Sequence, residues 1–193
     1  MIRAPRIHVF GASASGTSTL GRELARSIGV PHVDTDDVYW LPMQPSYSQA
    51  RPVAERLALL QTTLDDSLGW VLSGSLCGWG DVLRPRFDLA VLTVLAADER
   101  MRRLKARERL RYGAAIEPGG ARHAAHLEFV AWAASYDTAE APTRSRRMHL
   151  AWSKSLPCPL IEIDSARPVE ALVIEALAGV DRLTDLVTRQ GQT

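Results

Sequence analysis

Eight residues, Gly11-Ala12-Ser13-Ala14-Ser15-Gly16-Thr17-Ser18, carry the spacing of a phosphate-binding loop, G-x-x-x-x-G-K-[ST], with Thr17 where that pattern has lysine. A glycine loop joining a strand to a helix turns backbone N–H groups toward one point, and the helix N-terminus adds about half a positive charge there. That chemistry suits a polyphosphate, so these residues are the candidate cofactor-binding set. The Ser18 hydroxyl is placed to hold a magnesium ion, which takes oxygen ligands and keeps several waters. Losing the lysine removes a charge-assisted hydrogen bond of roughly 1.5–3 kcal/mol. If that bond strengthens in the transition state, its loss costs on the order of 10²–10³ in rate unless an arginine replaces it.

A second group of candidates is acidic. Asp34-Thr35-Asp36-Asp37 follows a short apolar run. There one carboxylate, Asp34, can serve magnesium, while Asp36 accepts a proton from an acceptor hydroxyl or grips the acceptor. The same acids are also ordinary punctuation at a strand end, and Asp37 can cap the segment Val38 to Trp40. For the missing cation, Arg102, Arg103 and Arg107 lie on a charge-dense helical stretch whose closure would bring guanidinium groups to a transferring phosphoryl group. A solvated helical face is the alternative for each. Arg144, Arg146 and Arg147 either bind a substrate anion or form a surface cluster. His123 and His126 do not share a face with Glu128, which disfavours a metal site. Helical spacing of His126, Phe129, Ala133 and Tyr136 instead predicts burial against a sheet, and Trp40, Trp79, Trp132 and Trp152 either pack or stack a ring.

The elements that must position these groups alternate along the chain. Arg6 to Phe10 reads as a buried strand ending at Gly11, Thr17 to Ile28 as a helix stopped by Gly29, and Val30 to Val33 as a second strand. Leu41 to Pro52 reads as a loop; Val53, Leu57, Leu60, Leu64 and Leu68 then keep helical spacing. Trp70 to Leu72 is a third strand and Leu89 to Leu95 a continuous apolar run typical of a central parallel strand. Asp98 is placed to cap a helix over Glu99 to Tyr112, whose few apolar contacts are Met101, Leu104 and Leu110. After a break at Gly113, Pro118, Gly119 and Gly120 come a helix over Ala121 to Tyr136, a strand over Leu160 to Ile163 and a helix from Pro168 to Leu177 with Ser165 as its cap.

At 193 residues the chain supports one domain, here 1–193, with insertions at about 38–69 and 99–150. A net charge of +1 disfavours nucleic acid as the main partner. Two isolated cysteines, Cys77 and Cys158, make neither a zinc cluster nor a disulfide framework. With no signal pattern and no apolar run long enough to cross a bilayer, the expectation is a cytoplasmic protein without a membrane partner, monomeric or homodimeric.

The stretches HVFGASASGTSTLGRELA, PHVDTDDVYW, WVLSGS and LIEIDSARPVEAL together resemble the small P-loop kinases of the adenylate, shikimate and gluconate kinase group. Within it, the chain is similar to an adenylate kinase-like bacterial branch with a lysine-less loop, here Gly11 to Thr19, followed by D-T-D-D and later W-A-x-x-Y, here Trp132 to Tyr136. The resemblance implies a three-layer α/β P-loop NTPase fold, with a five-stranded parallel sheet ordered 2-3-1-4-5 and a helical lid. It implies ATP bound over Gly11 to Thr19, an acceptor pocket between Asp34 and Gly74, and a loop from Ser73 through Gly80 bordering that acceptor. Region 38–69 would bind the acceptor and 99–150 would form the lid. Arg107 would come from the lid with Arg103 beside it, and Asp164 to Arg167 would approach the adenine. Two departures stand out: Thr17 replaces lysine, and Ser73-Gly74-Ser75 lacks the acid that a third strand often supplies. The expected activity is ATP-dependent phosphoryl transfer, with Mg²⁺, to a small-molecule acceptor: a nucleotide, a nucleoside or a hydroxylated metabolite. A nucleotide-binding regulator that has lost transfer is the main alternative. A sulfotransferase-like donor site is the second, since Ser15-Gly16-Thr17-Ser18 also fits such loops.

Overall fold

The structure, a computed structural model, describes residues 4–190. Its elements run β1 (Arg6–Gly11), α1 (Thr17–Ile28), β2 (His32–Asp34), α2 (Thr35–Tyr39), α3 (Val53–Asp65), β3 (Trp70–Ser73), β4 (Leu89–Val94), α4 (Ala97–Tyr112), α5 (His123–Ala134), α6 (Arg146–Ser153), β5 (Leu160–Asp164) and α7 (Val169–Gln190). Short 3₁₀ turns occupy Asp81–Arg86, Gly113–Ile116 and Ser135–Asp137. The five strands form one parallel sheet in the order β2-β3-β1-β4-β5. This is the strand order that the resemblance implies.

The sheet is covered on both faces because its central strands are apolar in both directions. In β1, Ile7 and Val9 join Leu20 and Leu24 of α1 and Leu172 and Ala176 of α7. Phe10, one residue along and therefore on the other face, joins Leu60 and Leu64 of α3 and Trp152 of α6. Burying each such side chain contributes about 1.5–3 kcal/mol. His8 belongs to this second face: it is fully buried and stacked between Phe10 and Phe87 at 5.2 and 4.8 Å. Its Nδ1–H donates to the Leu72 carbonyl, and burial pushes its pKa down to about 3. It is a neutral core residue.

Several local expectations are corrected. The chain leaves helical geometry after Asp65, so Leu68 is 75% exposed, and the covered ridge of α3 is Arg56, Leu60 and Leu64. Asp34, not Asp37, caps α2, accepting from the Asp36 amide at 3.1 Å. The residue before α4 is Ala96, which offers no side-chain cap, so Asp98 lies inside the first turn. The Ser165 hydroxyl donates to the Val94 carbonyl at 3.0 Å, fastening β5 to β4 at the sheet end. Leu110 is 90% exposed, and α4 is held instead by Arg100, Leu104 and Glu108. Helix α5 packs on α4 and the turns flanking it, so His126 meets Glu108 at 3.7 Å and does not bury against the sheet. Helix α6 has an eight-residue span that was too short and too basic to read as a helix from periodicity.

Candidate functional site

The loop between β1 and α1 is pinned from below. Ser15, fully buried, donates from its hydroxyl to the Ala12 carbonyl at 2.8 Å and meets the Thr93 hydroxyl at 2.7 Å, while its amide also goes to Ala12. Gly11 passes so close to β4 that a Cβ there would stand 2.4 Å from Thr93 Oγ1 and 2.7 Å from the Thr93 carbonyl. Ala14 sits at φ +63°, a left-handed conformation that costs a non-glycine residue some strain and turns successive amides the same way. Among the described residues, the amides of Ser13, Ala14, Gly16, Thr17 and Ser18 have no protein acceptor. The first-turn amides of any helix lack intrahelical partners, and here the left-handed loop residue adds further N–H groups to them, an arrangement with the chemistry to suit an anion.

Beyond the loop, β2 ends on the acidic cluster. Asp34 is braced on both oxygens, by the Asp36 amide and by the Ser73 hydroxyl at 3.2 Å, with His32 Nε2 on the same hydroxyl at 2.8 Å. Asp36 is not used in this way. The residue is exposed as a whole, but its carboxyl, beside Arg144 in an open recess, is shielded enough that desolvation, reinforced by the neighbouring Asp34 charge, raises its pKa against the opposing pull of Arg144, a Trp40 hydrogen bond and Arg107. Gly74 closes the floor: at φ +105°, a Cβ would stand 1.8 Å from Thr35 Oγ1, so only glycine lets β3 approach the start of α2. Gly74 thus shapes the recess through its backbone.

The arginines divide. Arg102 and Arg103 both bind Glu99, and Arg103 also donates to the Ser165 carbonyl at 3.1 Å. Arg103 lines a cavity of about 90 Å³ with Gly16, Thr19 and Ser165. That position is at the loop's flank toward β5. Arg107 lies 4.0 Å from Glu108 and near enough to Asp36 to favour its charged form. Arg167 donates to the Asp164 carbonyl and pairs with Glu175.

Arg144 carries more of the recess than its place in the sequence announces. Its guanidinium stacks on Trp132 at 4.5 Å, and its field reaches Asp36, Tyr136, Cys77 and Tyr39. Its Nε is buried with no hydrogen-bond partner, and among the described residues it makes no ion pair. Arg56 resembles it, covered and stacked on Tyr39 at 3.7 Å without a carboxylate. Behind Arg144, His149 joins the Tyr136 hydroxyl at 2.8 Å to the Ser75 hydroxyl at 2.9 Å. Burial first, and the Arg144 charge second, push His149 down to about 3, while burial raises Tyr136 to about 12. Both are therefore neutral at pH 7, and the wall of the recess adds no charge against Arg144. The four tryptophans also resolve. Trp152 packs in the core and donates to Asp81 at 2.7 Å, Trp79 donates to the Ser75 carbonyl, Trp40 meets Tyr39 and Tyr47, and Trp132 supports Arg144.

No group of three or more His, Cys, Asp or Glu side chains that could hold a metal occurs among the described residues. The oxygens present suit magnesium nonetheless: the Ser18 hydroxyl has no protein partner, and Asp34 retains acceptor capacity beyond its two bonds. Such an ion would rest mainly on phosphate oxygens and water. No helix among the described residues is long and apolar enough to cross a membrane.

No family model matches the chain. The uncharacterized protein YqaC of Bacillus subtilis (strain 168) is 41% identical over 158 residues, 82% of this chain and 87% of that protein. Among solved structures, a gluconokinase from Sinorhizobium meliloti 1021 is similar with a TM-score of 0.55 at 20% identity, covering 97% of this chain and 98% of that one. A shikimate kinase from Bacteroides thetaiotaomicron gives a TM-score of 0.56 at 14% identity, covering 92% and 98%. At these identities the likeness is one of fold.

Proposed function

We propose that this chain, which belongs to the family of Bacillus subtilis YqaC, is an ATP-dependent kinase whose acceptor is a small molecule carrying both a hydroxyl and an anionic group. The observation that carries this reading is the set of five unpaired loop amides beside a recess that holds Asp36 and Arg144. The loop amides hold the phosphates, and Ser18, with Asp34 through water, holds magnesium. The ion, when bound, offsets charge on the phosphate oxygens. Thr19 and Arg103 flank the nucleotide on the β5 side, with Arg167 at the loop after β5.

Asp36 takes the proton of the acceptor hydroxyl as its oxygen bonds to the terminal phosphorus and the bridging oxygen leaves with the diphosphate. Its raised pKa makes it a better base than a solvated aspartate. Arg144 pairs with the acceptor's anionic group and thereby satisfies a covered cation. Arg107, on the lid side, adds positive field at Asp36.

Single-turnover reaction of the purified protein with Mg-ATP tests this, across phosphate monoesters, hydroxy carboxylates and uncharged nucleosides and polyols, with products read by mass spectrometry. The expected result is transfer to an anionic acceptor, slowed about 10²–10⁴-fold by Asp36→Asn. Saturable ATP binding with no product in any arm would establish a nucleotide-binding regulator instead. Preference for phosphoadenosine phosphosulfate over ATP would establish a sulfotransferase-like donor site.

A further inference from the structure

A cavity of about 370 Å³ is lined by Tyr136 and bounded by Ala12 of the phosphate loop, the end of β4 and the start of α4. Three charged side chains line it: Arg100, Asp137 and Arg146. The first two neutralise each other at 2.8 Å. Arg146 is left over, with no hydrogen bond, ion pair or ring contact among the described residues. Its backbone is nevertheless fixed, because the buried Ser145 caps α6 by accepting from the Met148 amide.

The loop lacks a cation at Thr17, and the other candidates are engaged elsewhere. Arg102 and Arg103 are tied to Glu99, Arg107 sits by Glu108 and Asp36, and Arg144 is stacked on Trp132 in the recess. We propose that Arg146 supplies this missing cation, meeting the terminal phosphate of the nucleotide through the cavity beside Ala12. The inference rests on the kinase reading and adds to it the source of the charge. A guanidinium entering from α6 reaches only a phosphate that projects past the loop toward β4. It therefore discriminates a triphosphate from a diphosphate, whereas the loop amides serve both.

Calorimetric titration of the full chain with Mg-ATP and Mg-ADP, for the wild type, Arg146→Met and Arg146→Lys, tests this directly. The expected result is a loss of ten-fold or more in ATP affinity for the methionine variant and two-fold or less in ADP affinity. Partial recovery is expected with lysine, and recovery again when Thr17→Lys is added to Arg146→Met. Wild-type ATP binding that Arg146→Met leaves unchanged, or weakens equally for ADP, overturns the role of Arg146 while leaving the kinase reading intact. A wild-type protein that binds neither nucleotide overturns both.

Discussion

Two guanidinium groups whose charges act on Tyr136 are treated differently by the fold. Arg100, 1% exposed, holds Asp137 at 2.8 Å, donates to the Leu95 carbonyl and lies over the Tyr136 ring at 5.0 Å. Arg144 instead stacks on Trp132 and has no carboxylate within ion-pair distance, Asp36 acting on it only from further away. A buried charge with its counter-ion belongs to the architecture, here the anchoring of α4 to the turn after α5. A covered guanidinium that contacts no carboxylate and leaves its Nε unpaired, as Arg144 does, keeps donors open to a group from outside the chain, whereas the Arg56 Nε is satisfied by the Arg51 carbonyl. The difference separates an arginine committed to the architecture from one whose charge remains open to the proposed acceptor.

The sharpest way to break the comparison is to take Asp137 away. Asp137→Ala strands the Arg100 charge in the interior and is expected to lower stability by about 3 kcal/mol, toward the low end for a broken buried pair because Asp137 is itself partly exposed. Urea unfolding measures it; a loss well under 1 kcal/mol would mean that the Arg100 pair is no more structural than Arg144.

Mild acidification, from pH 7 to about 6, is a smaller perturbation. His8 and His149 are neutral in the folded protein, with pKa values near 3 against 6.5 unfolded. The unfolded chain therefore binds more protons below pH 6.5, and stability present above that pH is lost as pH falls from 6.5 toward 3. Each histidine contributes up to about 1.4 kcal/mol per pH unit in that window. Urea midpoints at pH 7, 6 and 5 should fall accordingly, and His149→Gln should remove one share of the slope. A slope that His149→Gln leaves unchanged would place the acid sensitivity in His8 alone.

The smallest effect on stability is the most diagnostic of the recess. Arg144→Met fills similar volume without charge, so unfolding free energy should stay within about 1 kcal/mol of wild type or rise. Affinity for an anionic acceptor should drop ten-fold or more, about 1.4 kcal/mol. A destabilisation like that of Asp137→Ala would make Arg144 structural.

The fold was largely legible in the chain. Glycine spacing, a strand before it, an amphipathic helix after it and acids at the next strand end are local patterns, and Gly11 to Ser18, Asp34 and Asp36 all sit at the ends of strands β1 and β2. The misreadings were of another kind. His126 kept helical spacing but packs on no sheet, because periodicity reports a face and not its partner, and Leu110, read as an apolar contact of its helix, is exposed. Asp98 and Ser165 had the chemistry of caps but lie at positions where the backbone places them otherwise. Arg144 and Arg146 stood in one basic run with equal claims, and nothing in their spacing distinguishes a residue turned into the recess from one turned into the cavity beside Ala12.

The sequence by itself determined the strands and helices, the phosphate loop and the absence of its lysine, since these are written in local patterns, while the strand order followed from the resemblance to P-loop kinases. Tertiary structure alone decided which cations can reach that loop. Counter-ions are assigned by packing, through contacts such as Arg100 with Asp137 and Arg103 with Ser165, 37 and 62 residues apart. An arginine left unpaired by those contacts is available to a ligand, and that availability is a property of the folded surroundings rather than of the residue.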